Sequence, residues 1–412
     1  MKSFKLGLLP KILIAILLGV ACGLFFPQVL VRVFATFNAV FSSFLKFLIP
    51  LIIVGLVTPA IADIGRGAGK LLAITALIAY VDTVCAGCFS YGVSAALFPK
   101  LIPAGGGSQM GDLTTEVAPF FSINIPPMLD VMTSLVFSFT LGLGMAFFGS
   151  VRLKEIAREF KDIIVKTIEV VILPLLPIYI FGIILGMTHT GQVVRILEVF
   201  VAIIGVIFVM HIVLLVVQYC IAGVVARRNP LKMLVKMMPA YFTALGTSSS
   251  AATIPVTLKA TRENGVSEEI AGFTIPLCAT IHLSGSTLKI VACAVALMLM
   301  QGMPFDFGLF MGFILMLGIM MVAAPGVPGG AIMAALGILS SMLGFSEAQQ
   351  ALMIALYITM DNFGTACNVT GDGAIAVVID HFFRKEARQP RPAAVPGTDK
   401  EFNFRNDESY LT

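Results

Sequence analysis

Apolar residues run in stretches long enough to cross a bilayer, which takes on the order of 20 residues, at 8–27, 37–62, 71–98, 126–149, 163–187 and 194–225. Each predicts a spanning helix. After residue 230 the pattern changes. Segment 231–265 is two arms, each too short to span, joined by ALGTSSSAATIP with a helix-breaking Pro255. Segment 267–299 is a full span interrupted at His282-Leu-Ser-Gly-Ser286. Segment 308–343 is again two short arms, joined by PGVPGG at 325–330, and 347–382 is again a full span, with a break expected at Asn368-Val-Thr-Gly-Asp372. A hairpin entering the membrane part-way, followed by an interrupted span, thus occurs twice. Basic residues fall in alternate loops (Arg66 and Lys70; Arg152, Lys154, Arg158 and Lys161; Arg227, Arg228, Lys232 and Lys236). This bias places those loops and both termini in the cytoplasm. The first hairpin then opens from inside and the second from outside, an inverted repeat. Paired interruptions of this kind point to a binding site at the membrane midplane.

The stretch 358–380, ITMDNFGTACNVTGDGAIAVVID, carries the most concentrated chemistry. Asp361, Thr365, Asn368 and Asp372 are spaced by 4, 3 and 4 residues. At 100° per residue they share an arc of roughly 60° on one helix face. Two carboxylates, an amide and a hydroxyl are costly to bury in a membrane without a partner such as an ion or a polar solute.

Composition agrees: 58% of the 412 residues are hydrophobic and 12% charged, against about 25% charged in soluble domains. A polytopic plasma-membrane protein is expected. The formal net charge of +4 comes from loop residues, with no basic stripe for nucleic acid. The Cys85-Ala-Gly-Cys88 pair lacks a second pair or a nearby ligand histidine, so small packing residues are the expected role. Segment 100–125 reads as an exposed loop, and the polar, proline-bearing tail from Lys385 as disordered. No nucleophile–base pair or HExxH spacing argues for an enzyme. Polar linings and half-helices also build ion channels, but two gating hairpins around one site favour alternating access.

The motifs GTSSSAATIPVT (246–257), PLCATIHLSGST (276–287), PGVPGGAIM (325–333) and NVTGDG (368–373) together resemble those of the dicarboxylate/amino acid:cation symporter family, the glutamate transporter homologues. The resemblance implies an elevator-type fold of about eight transmembrane helices plus two re-entrant hairpins, assembled as a homotrimer. It divides the chain into scaffold helices 1–2 (1–68), transport helix 3 (69–98), a loop with scaffold helices 4–5 (99–190), the remaining transport domain (191–385) and a cytoplasmic tail (386–412). By position, Asp361 resembles the aspartate that binds a substrate ammonium, and Thr365 and Asn368 the groups around the α-carboxylate. Ser249 and Ser250 match the first hairpin tip, Ser286 the seventh-helix break, and Gly326 and Val327 the extracellular gate. Asp372, the backbone of Asn368 and carbonyls of Cys278 and His282 match the first sodium site. Carbonyls of Thr280 and 321–324 match another. No cofactor is implied beyond sodium or a proton as coupling ion.

Several positions depart from the family. Gly364 and Ser248 stand where acidic-substrate members place an arginine, leaving a side-chain carboxylate no bidentate partner. The family's Asn-Met-Asp-Gly-Thr run reads His282-Leu-Ser-Gly-Ser286, without the aspartate of a third sodium site, and Ile78 and Ala79 replace its supporting Thr-Ser pair. Asp82 and Lys289 are ionisable residues gained inside predicted spans. The plain expectation is an Asp82–Lys289 ion pair. The sharper one is that Asp82, His282 or Lys289 carries a coupling proton. The expected function is therefore a cation-coupled symporter importing a small, neutral amino acid, with a dicarboxylate or keto acid as the alternative substrate.

Overall fold

The computed structural model describes residues 8–64, 70–102, 117–191, 193–325 and 328–387. It contains α1 (Leu8–Gly23), α2 (Gln28–Ile64), α3 (Lys70–Leu101), α4 (Val131–Phe148), α5 (Val151–Thr167), α6 (Leu173–His189), α7 (Val193–Ala226) and α8 (Pro230–Lys236). These are followed by α9 (Met238–Thr247), α10 (Ser250–Glu263), α11 (Glu268–Ile281), α12 (Ser284–Met300), α13 (Phe307–Ala323), α14 (Gly330–Leu343), α15 (Glu347–Thr359) and α16 (Asp361–Ala387). No strand occurs among the described residues. Six helical stretches there are long and apolar enough to cross a membrane: Gln28–Asp63, Lys70–Leu101, Val131–Phe148, Val151–His189, Val199–Ala226 and Glu268–Met300. Outward faces carry Leu77, Val81, Val136, Phe137, Val209 and Ile212. Apolar surface this extensive is suited to lipid rather than water. The chain is an all-α polytopic membrane protein.

Packing sorts the helices into two groups. Helices α1, α2, α4, α5 and α6 pack on one another, and α3, α7 and α9–α12 gather around α16 and α12. Helix α12 lies at the centre, with almost every residue buried. Helix α14 joins the groups by packing on α2, where an added Cβ at Gly337 would lie 3.0 Å from Ile49 and 3.1 Å from Ile53.

Three expectations change. The basic cluster at 152–161 lies on α5 rather than in a loop. Five residues of π-helix (Ile168–Ile172) carry α5 directly into α6. Its cations staple the end of α2: Lys154 donates to the Ala62 carbonyl at 2.6 Å, and Arg158 pairs with Asp63 at 2.7 Å. The interruption expected at 368–372 falls at Met360, between α15 and α16, and α16 runs unbroken through Asn368 and Asp372. The reason is close packing. An added Cβ at Gly371 would sit 2.8 Å from Gln218, and one at Gly373 2.6 Å from Met237. These glycines let neighbours approach a continuous helix. The third change concerns Asp82 and Lys289 and belongs to the site.

Candidate functional site

Two helix pairs and two helix breaks meet at one place. Helices α9 and α10 pack together across a turn at Ser248 and Ser249, and α13 packs on α14 across 324–329, of which 326–327 lie outside the described residues. Ser248 holds φ 51°, a left-handed conformation unfavourable for a residue with a Cβ. Asn362 of α16 holds it there. Ser248 Oγ donates to Asn362 Oδ1 at 2.5 Å, and Asn362 Nδ2 donates to the Leu245 carbonyl at 2.8 Å. In the second pair, an added Cβ at Gly330 would lie 2.3 Å from the Pro325 carbonyl oxygen, so only glycine fits that close return of the chain.

Beside these turns lies a small polar cavity of about 20 Å³, lined by Ser248, Ser250, Leu283, Ser286, Pro325, Ala331, Tyr357, Asp361, Thr365 and Asn368. A neighbouring cavity of about 350 Å³ shares Ser248 and Asp361 and extends past Thr247, Pro328 and Asn362 to Leu8 and Leu9. The small cavity has room for roughly one water.

The predicted solute residues fall out as follows. Ser250, Ser286, Asp361, Thr365 and Asn368 are brought together in the cavity wall. Ser249 does not line it. Its hydroxyl caps α10 by accepting the Ala252 N–H at 3.3 Å, and Ser248 contributes to the wall in its place. Gly326 and Val327 lie outside the described residues. Asn368 is bound to α12: its Oδ1 accepts the N–H groups of Gly285 at 2.8 Å and Ser286 at 3.3 Å, and its Nδ2 reaches Ser286 Oγ at 3.2 Å. Leu283 provides no side-chain cap for α12, so Asn368 satisfies N–H groups that every helix start leaves open.

The charged residues pair differently from the expected Asp82–Lys289 bridge. Lys289 reaches Asp361, with Nζ 2.9 Å from Oδ1, while the Gly329 N–H donates to Oδ2 at 2.9 Å. The Lys289 ammonium also lies 3.5 Å from the Tyr357 ring centroid. Gly364 makes room for it, since an added Cβ there would stand 2.7 Å from Nζ. Asp82 instead faces His282. The two imidazole nitrogens of His282 lie 2.8 Å from Asp82 Oδ2 (Nε2) and 2.8 Å from Asp372 Oδ1 (Nδ1). A neutral imidazole has one N–H, so satisfying both carboxylates requires one further proton in the triad. Gln218 Nε2 donates to Asp82 Oδ2 at 2.6 Å and to Ser284 Oγ at 3.2 Å. The geometry explains the exchange of partners: α12 runs beside both α3 and α16, and the α11–α12 break turns His282 towards Asp82 while Lys289 points to the start of α16.

Among the predicted cation ligands, Cys278 is buried and its carbonyl accepts the His282 N–H at 2.9 Å. Thr280 is exposed, its hydroxyl donating to the Leu277 carbonyl at 2.7 Å. Asp372 is buried, and its Oδ2 has no hydrogen-bond partner. An orphaned carboxylate oxygen in a buried site is the donor a small hard cation takes.

Sequence reasoning missed Tyr357, Gln218 and Asn362. Tyr357 sits four residues before Asp361 and bonds Ser286 Oγ at 3.0 Å, so helical spacing pointed to it. Gln218 is a polar residue inside an apolar span, itself a signal. Nothing local marked Asn362.

An all-helical membrane protein with a small polar cavity where paired helix turns meet helix breaks is built as a carrier of small solutes. The chain belongs to the sodium:dicarboxylate symporter family, whose model matches residues 8–382. It is a membrane transporter and not an enzyme. It is 26% identical to the serine/threonine transporter SstT of Acinetobacter baylyi over 394 residues, 91% of this chain and 97% of that protein. Over 164 residues it is 32% identical to human excitatory amino acid transporter 2, covering 40% of this chain and 28% of the human protein.

Proposed function

We propose that the chain is a secondary active symporter, driven by sodium and/or protons, that imports a small amino acid or related carboxylate across the plasma membrane. The observation that carries this reading is the small polar cavity beside the α9–α10 and α13–α14 turns, walled by α16 and the start of α12. Those turns act as re-entrant gates on the two sides of the membrane, and α3, α7 and α8–α16 move as a transport unit against a trimeric scaffold of α1, α2 and α4–α6, with both termini cytoplasmic. Sodium binds at Asp372, a role supported by its unpartnered Oδ2 and by the family's name, with carbonyls around Cys278, His282 and Asn368.

A neutral amino acid is the reading supported by the name of the SstT relatives and by the loss of arginine at positions 248 and 364. An amine-free carboxylate is the second reading, favoured by Lys289 on Asp361. The test is reconstitution of the full chain in liposomes with labelled serine, alanine, aspartate, cystine and succinate, imposing sodium and pH gradients separately. Accumulation driven by either gradient is expected. Gradient-independent, non-saturating flux would replace the symporter with a channel.

A further inference from the structure

We propose that Lys289 is a tethered cation that holds the place of a substrate amine, so that the solute is a small carboxylate carrying no charged amine. This rests on reading the small polar cavity as the solute site, and it assigns that site its substrate class.

The one acidic group in the cavity wall is already satisfied. Asp361 spends Oδ1 on Lys289 and Oδ2 on the Gly329 N–H, both at 2.9 Å. The ammonium is not free to swing aside. It is fully buried, set against the Tyr357 ring, and occupies the space that Gly364 leaves open. An arriving ammonium would meet a neutralised carboxylate and a like charge behind it.

What remains in the wall suits an anion. Ser250 is the first residue of α10, Ser286 lies in the first turn of α12, Ala331 in the first turn of α14, and Asp361 opens α16. Four helix starts thus converge, each carrying about half a positive charge. Asn368, Asp361 and Ser249 already accept N–H groups at the α12 start, at Gly329 just before α14 and at the α10 start, so the balance of the field comes from the N–H groups these caps leave open at those three ends. Ser248 spends its hydroxyl proton on Asn362 and Ser286 shares a hydrogen bond with Tyr357, so Ser250, Thr365 and one member of the Ser286–Tyr357 pair supply the donors around the same space. Donors and positive helix ends around a compensated ion pair bind a carboxylate well and offer a second ammonium no anionic partner.

The experiment pairs solutes that differ by the amine alone: succinate with aspartate, and pyruvate with alanine. Uptake of each labelled member is measured in proteoliposomes of the full chain under an inward sodium gradient. Wild type is expected to accumulate the amine-free member of a pair at least tenfold faster. Lys289→Met should shift that ratio at least tenfold towards the amine-bearing member, a change a purely structural lysine would not produce, while Lys289→Arg should keep the wild-type ratio. Faster wild-type uptake of aspartate or alanine overturns the proposal while leaving the symporter intact, and needs no variant to fold. An unchanged ratio in a folded Lys289→Met protein overturns it too. Absence of gradient-driven uptake of all four solutes, and of labelled serine and cystine, overturns the symporter reading along with it.

Discussion

Breaking the Lys289–Asp361 pair should cost far more than deleting both of its members. The lysine side chain is fully buried and the aspartate side chain 7% exposed, so removing either leaves a charge with nowhere to go. Lys289→Met strands the carboxylate on the single N–H of Gly329. Asp361→Asn strands the ammonium on the Tyr357 ring and a distant Met360 carbonyl, 3.5 Å away. Each single change is expected to destabilise by about 3–5 kcal/mol, the usual consequence of orphaning a buried ion. The double variant removes both charges, methionine keeps the lysine's unbranched volume, and the asparagine carbonyl can still accept from Gly329. It should recover most of the loss. With the double variant within about 1 kcal/mol of wild type, the coupling energy is expected near about 5–9 kcal/mol, above the usual range for contacting residues because each single change strands a buried charge. The assay is equilibrium unfolding of wild type, both single variants and the double variant in mixed micelles, followed by helical circular dichroism. Additive losses, or single variants within about 1 kcal/mol of wild type, would refute the pairing and the burial on which it depends.

Other consequences can be checked separately. Asp372→Asn should raise the sodium concentration for half-maximal uptake on the order of tenfold, about 1.4 kcal/mol of ion binding; unchanged sodium dependence would remove Asp372 from the ion site. Gly285→Ala places a Cβ 2.7 Å from Cys367 Cβ and 2.8 Å from the Gly364 carbonyl oxygen. It should cost about 1–3 kcal/mol by overpacking, read as a lower melting temperature in detergent. If α14 slides along α2 during transport, Gly337→Val, which wedges against Ile49 and Ile53, should slow uptake at least tenfold while keeping the sodium-induced thermal shift. Wild-type uptake in that variant would argue against sliding there.

Much of this architecture was readable from hydropathy alone. The apolar stretches, the break at His282 and the two turns joining short helices are written in runs of Leu, Val and Phe cut by Pro, Gly and Ser. The face shared by Asp361, Thr365, Asn368 and Asp372 survives because α16 is continuous there. The break at Met360 was not readable, since Thr359-Met360-Asp361 contains no breaker, whereas Gly371 and Gly373 resemble one and serve only to admit Gln218 and Met237. The ion pairs were hidden for a different reason. Gly364 looked like a lost cation and Lys289 like a gained one, 75 positions apart in the sequence. Their meeting depends on how α12 crosses α16, which no local pattern records.

The His282 triad has an electrical consequence. Around the cavity, Asp82, Asp361 and Asp372 face one ammonium and one extra proton on the histidine network, which leaves a single negative charge unbalanced. A unit in that state, crossing the whole of a 100 mV potential, exchanges about 2.3 kcal/mol with it. One bound sodium cancels the charge. On the symporter reading, voltage, negative inside, would then drive the unloaded carrier back outward, while the sodium-loaded form would travel inward electrically silent. An anionic passenger restores the imbalance, and a second cation must ride with it.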